Sequence, residues 1–94
     1  MARDPSFIPK LANKARLRFD RHSGSHMIVY PERGLALNDS AAKIAKRCDG
    51  TRSLTEIVDE LAREAGVDAE GRADVETDVL AFVDLLAQKG LLEP

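Results

Sequence analysis

His22, His26 and Cys48 are the only imidazoles and the only thiol in this 94-residue chain. A nucleophilic thiol needs an imidazole beside it and a third group to orient that base. A zinc ion needs three or four ligands at characteristic spacing, and these three residues do not show it. The paired carboxylates Asp59/Glu60 and Asp74/Glu76/Asp78 are denser. General acid and base work requires such groups in a desolvated cleft, whereas here they lie opposite apolar helical stripes and read as a solvated face. There is no Gly-x-Gly-x-x-Gly run, phosphate-binding loop or nucleophile elbow. The expectation is a protein that is not an enzyme and uses no metal and no cofactor. What can do chemistry is the main chain of Leu35, Ala36 and Leu37, a strand too short to be covered, whose outer N–H and C=O groups can receive another chain.

That edge has to be positioned by its neighbours. Residues 26–30 are apolar and β-prone, Pro31 and Gly34 bracket a turn, and residues 35–37 resume the apolar run, so a hairpin is expected. Upstream, residues 15–19 alternate apolar and basic side chains, which predicts a first strand with Leu17 and Phe19 inward and Arg16 and Arg18 outward. Residues 1–13 hold two prolines and no period, and are expected to form a flexible or loosely docked arm preceding a single domain over residues 14–94.

Three helices follow. Asn38, Asp39 and Ser40 offer a cap for a helix over residues 40–48, with Ala41, Ile44, Ala45 and Cys48 on one face. Ser53 and Glu56 form a capping box ahead of the stripe Leu54, Ile57, Val58, Leu61 and Ala65, closed by Gly66. After a polar linker over residues 67–72, a longer helix runs to Lys89 with Val75, Val79, Phe82, Val83 and Leu86 inward and Gly90 at its end. The fold class is α+β, a winged helix-turn-helix-like arrangement of a three-stranded antiparallel sheet followed by three helices.

Composition narrows the partners. The chain is 44% hydrophobic and 32% charged, with no tryptophan, so one small aliphatic core is expected. One cysteine excludes an internal disulfide and suits the cytoplasm. No run reaches the ~18 apolar residues of a membrane span. Residues 1–52 carry eleven Lys/Arg against five Asp/Glu, and residues 53–94 three against eleven, so oppositely charged surfaces are available. Helix-turn-helix geometry raises DNA binding as the alternative. The second helix, however, presents Glu56, Asp59, Glu60 and Glu64 with Arg63 as its one cation, which phosphate would repel, so nucleic acid is not expected. Short hinges allow either a monomer or an exchanged dimer.

Tyr30-Pro31-Glu32-Arg33-Gly34 followed by Leu-Ala-Leu-Asn, the run from Cys48-Asp49-Gly50 through Ser53-Leu54-Thr55-Glu56-Ile57-Val58, and the ending Gln88-Lys89-Gly90-Leu91-Leu92 together resemble the PqqD family of pyrroloquinoline quinone biosynthesis, over about residues 15–92. The resemblance implies a non-catalytic peptide chaperone, of the kind that recognises ribosomally made, modified peptides. Such a protein binds the precursor peptide PqqA and presents it to the radical-SAM enzyme PqqE, which crosslinks a Glu and a Tyr in that peptide. The iron–sulfur chemistry belongs to that partner. It also implies that the peptide adds as a strand beside the third strand and lies against the third helix. Main-chain pairing would then fall on Leu35, Ala36 and Leu37, and side-chain pockets on Val75, Val79, Leu80, Phe82 and Val83. Arg16, Arg18 and Arg33 would attract acidic residues of the peptide.

Overall fold

The alternating first segment becomes strand β1 (Arg16–Asp20), followed by β2 (Ser25–Tyr30) and β3 (Arg33–Leu37) in an antiparallel sheet of order β1-β2-β3. This computed structural model describes residues 3–93. Helices α1 (Asp39–Arg47), α2 (Leu54–Ala65) and α3 (Ala69–Gln88) complete the expected α+β, winged helix-turn-helix-like class. The register sets Ile28 across from Leu17 and from Leu35, and Met27 across from Arg18 and from Ala36. With a side-chain period of two, Leu17, Ile28, Leu35 and Leu37 therefore face the helices, and Arg16, Arg18, Met27, Val29, Gly34 and Ala36 face away. Pro31 and Glu32 turn β2 into β3, and Glu32 takes a φ of 67°, a left-handed conformation that a side chain enters at some cost.

Each helix begins where its cap dictates. The Asn38 side chain accepts from the Ala41 N–H at 2.8 Å. Ser53 and Glu56 make both halves of the capping box, and Gly66 closes α2 at φ 65°. The expected linker ahead of α3 is shorter than the sequence implied, because Asp68 accepts from the Gly71 N–H at 2.9 Å and starts the helix at Ala69. The core gathers Ile28 from the sheet, Ile57 and Val58 from α2, Val79, Val83 and Leu86 from α3, and Leu91 beyond it, all at 2% exposure or less. Burying each is worth about 1.5–3 kcal/mol, a large fraction of a small domain's net stability of roughly 5–15 kcal/mol.

Two expectations need correcting. Phe19 is 55% exposed, since the helices pack on β2 and β3 and leave β1 outside. It rests edge-on against His26, ring centroids 5.1 Å apart. The first segment is docked along the helices: Pro9 is fully buried, Phe7 and Leu11 pack on the core, and the Leu11 and Ala12 N–H groups donate to the Cys48 and Leu91 carbonyls. Antiparallel bridges join Lys10 to Asp49 and Leu11 to Leu92. The prolines read as signs of an arm in fact shape an extended segment that closes one end of the core.

Candidate functional site: an open strand edge beside a helical groove

β3 is an edge strand, and among the described residues no main-chain hydrogen bond from another element reaches residues 33–37 except from β2. A two-residue loop closes on the hydrogen-bonded pair Tyr30 and Arg33, and antiparallel pairs alternate from there. Ile28–Leu35 and His26–Leu37 are then the bonded pairs, so the main-chain groups of Gly34 and Ala36 point out to solvent. These are the two smallest residues of the strand, and nothing on them obstructs an approaching chain. β1 is the other edge, but it carries Arg16 and Arg18, and charged side chains on an edge strand are a usual means of discouraging strand addition.

β3 runs through Asn38 directly into α1, and beyond its end a groove opens between α1 and α3. Its near part is walled by Asn38 and Ala41 on one side and by Asp78, Ala81, Phe82 and Leu85 on the other. Ile44 and Asp78 are shared with a deeper pocket of about 130 Å³, floored by Leu61, Val75 and Val79 and rimmed by Lys43 and Glu64. That volume suits one apolar side chain, as a 150 Å³ apolar cavity suits benzene, and falls short of the roughly 300–1,000 Å³ of a small-molecule site.

The predicted residues divide accordingly. Leu37 is buried and Leu35 half-buried, both toward the core, while Ala36 is exposed on the opposite face. Val75, Val79 and Phe82 do line the groove, whereas Leu80 and Val83 line neither part of it and serve the core. The groove lies between α3 and α1 rather than directly between α3 and β3, because α3 packs on α2 and α1. Arg33 is exposed at the start of β3. Arg16 and Arg18 stand two strands from the open edge, roughly 10 Å at the usual strand spacing, and are not brought to it. Sequence reasoning missed Ala41, Ile44, Ala81 and Leu85 as groove residues. The signal was present: Asp78, Ala81, Phe82 and Leu85 share one helical face at i, i+3, i+4 and i+7, beside the core stripe.

Lys43, Glu64 and Asp78 border the groove, whereas the thiol stays out of it. Cys48 is 2% exposed and donates to the Ile44 carbonyl at 3.3 Å, and burial followed by the nearby Asp49 charge pushes its thiol up to about 12. It is a neutral core residue at physiological pH. The α2 carboxylates are more than a solvated face. Glu60 accepts from Arg47 at 3.1 Å and Arg52 at 2.8 Å, and Asp59 accepts from Arg72 at 2.6 Å, tying α2 to its neighbours. Arg47 first, and then Arg52, hold the Glu60 carboxyl below its ordinary value. Among the described residues no group of three or more His, Cys, Asp and Glu side chains could hold a metal, and no helix is long and apolar enough to cross a membrane.

A three-stranded sheet with an edge strand leading into a side-chain-sized helical groove is a geometry able to receive an extended chain. The family described as coenzyme PQQ synthesis protein D, PqqD, matches residues 25–92. A relative from Rhodopseudomonas palustris named PqqA binding protein is 44% identical over 84 residues, 89% of this chain and 79% of its own. The chain belongs to the PqqD family. The solution structure of the PqqD part of Methylobacterium extorquens PqqCD, described as a functional and stand-alone recognition element for ribosomally synthesized and post-translationally modified peptides, superposes with a TM-score of 0.81 at 34% identity, covering 97% of this chain and 94% of that one. A lasso peptide synthetase B1 solved with its leader peptide shares the fold, at a TM-score of 0.74 and 24% identity over 94% of this chain and all of that one.

Proposed function

We propose that this protein is a non-catalytic chaperone of the cytoplasm that binds the precursor peptide PqqA by adding it as a strand to β3, and presents it to the radical-SAM enzyme PqqE in pyrroloquinoline quinone biosynthesis. The observation that carries the reading is the uncovered edge at Gly34 and Ala36, continuous with the α1–α3 groove. The relatives' name, PqqA binding protein, supports the choice of peptide. Main-chain pairing supplies affinity with little sequence demand, and the pocket at Val75 and Val79 takes one anchoring apolar side chain. The chain contributes no reacting group: it orders the peptide and leaves the chemistry to the enzyme.

The test is an NMR titration of the labelled protein with PqqA. Shifts concentrated on residues 33–38 and on the Ala81/Phe82/Leu85 face are expected. Shifts confined to α2, or no binding at all, would sink the reading. A salt-dependent complex with duplex DNA and none with PqqA would favour a winged-helix DNA-binding protein instead.

A further inference from the structure

The sheet face turned away from the helices is not accounted for by peptide binding. It carries an apolar strip of Met27 and Val29, both half-buried, with Met27 lying over Gly34 so that a Cβ there would come within 2.8 Å of its Cε. Lys14, Arg16 and Arg33 flank that strip in one open depression, which Tyr30 and the carboxylate Glu32 also line, and Arg18 stands across from Met27. Among the described residues none of these four cations pairs with a carboxylate, although Arg3, Arg47, Arg52 and Arg72 all do. The protein as a whole is net negative, so this is a local positive field with an apolar centre.

We infer that this face docks a carboxylate-bearing protein surface, apolar at its middle, on the enzyme that receives the peptide; the inference rests on the delivery role proposed above. Charge complementarity selects the occupant. Nucleic acid is disfavoured because the centre is methionine and valine, because Glu32 lines the same depression, and because α2 and α3 are acidic. Edge protection explains basic residues on β1 but not the apolar strip between them and β3. The face is also continuous with the peptide. A strand added beside β3 lies about 4.8 Å beyond Gly34 and Ala36, and every second side chain of it projects onto this same side. An enzyme seated on Met27 and Val29 would meet the peptide's outward residues directly, while the alternate residues stay anchored toward the groove.

The experiment measures PqqA and PqqE binding separately, using the whole protein and the double variant Arg16→Glu/Arg18→Glu. Both positions are exposed, so folding is retained. Support is a PqqE affinity lowered by roughly tenfold or more, through a slower on-rate and a weaker salt dependence, with PqqA affinity unchanged. Equal PqqE affinity for parent and variant overturns the inference and leaves the delivery role standing. A parent that binds PqqA but never PqqE removes the delivery role, and this inference with it. Binding of an RNA or DNA duplex lost with the same arginines, in place of enzyme binding, also overturns it.

Discussion

Replacing Ala36 with proline separates the edge from the fold. The Ala36 N–H points to solvent, so its removal breaks no ladder bond with β2, and an edge strand accepts proline where the lost N–H faces outward. Gly34 and Ala36 together offer two donors and two acceptors to a guest strand. Deleting one donor leaves a peptide carbonyl unpaired, a loss of about 1–3 kcal/mol, or roughly 5- to 150-fold in Kd. Leu37→Pro is the control: its N–H bonds to β2 and its side chain is 6% exposed, so the fold itself should suffer, by more than about 2 kcal/mol. Calorimetric titration with PqqA, alongside thermal unfolding, reads both quantities. An Ala36→Pro variant that melts with the parent and binds PqqA equally well would refute strand addition at β3. An unfolded Ala36→Pro with a stable Leu37→Pro would refute the register argument.

Other expectations bear on the groove and on stability. Leu85 is 36% exposed on the groove wall, so Leu85→Asp should leave the melting temperature nearly unchanged yet weaken PqqA about tenfold; equal affinity by titration would move the peptide off α3. Gly71→Ala ordinarily stabilises a helix, but here the new Cβ would meet the Val67 Cβ at 2.6 Å, so denaturant unfolding should show a loss of about 1 kcal/mol or more rather than a gain. Glu32→Gly should raise stability by up to about 1 kcal/mol by relieving the left-handed turn, and a lower melting temperature would show that the glutamate earns its place there. Glu60 is depressed below its ordinary 4.5, chiefly by Arg47 and then Arg52, so its stabilisation is complete above that pH and vanishes as pH falls through the lower folded value. Glu60→Gln should therefore cost stability at neutral pH and progressively less below about pH 4.5; a difference constant down to strong acid would contradict the ion pairs.

Short-range physics was legible in the sequence. The capping box at Ser53 and Glu56, the Asn38 cap, the Gly66 and Gly90 stops, the period-two pattern of the sheet and the core stripes of α2 and α3 all follow from neighbours a few residues apart, and local rules read such neighbours directly. A short strand before the Asn38 cap was also visible, because its length and place are sequence properties, but the register turns the main-chain groups of Gly34 and Ala36 outward and those of Leu35 and Leu37 toward β2. Tertiary structure decided what those elements touch. Phe19 fits an inward position by alternation, yet it has no helix above it, and packing around a sheet's margin is not written in its period. The prolines near the start suggested a flexible or loosely docked arm, but Pro9 is buried in a segment bridged to residues some forty and eighty positions away. Of the residues expected to form the pocket, Leu80 and Val83 turned to the core, and Leu85, not among them, turned to the groove, since a helix with apolar side chains on several faces leaves their assignment to its neighbours. Arg16 and Arg18, grouped with the peptide site on charge alone, lie across the sheet from it. Sequence fixes charge, but only strand order sets the distance over which that charge acts.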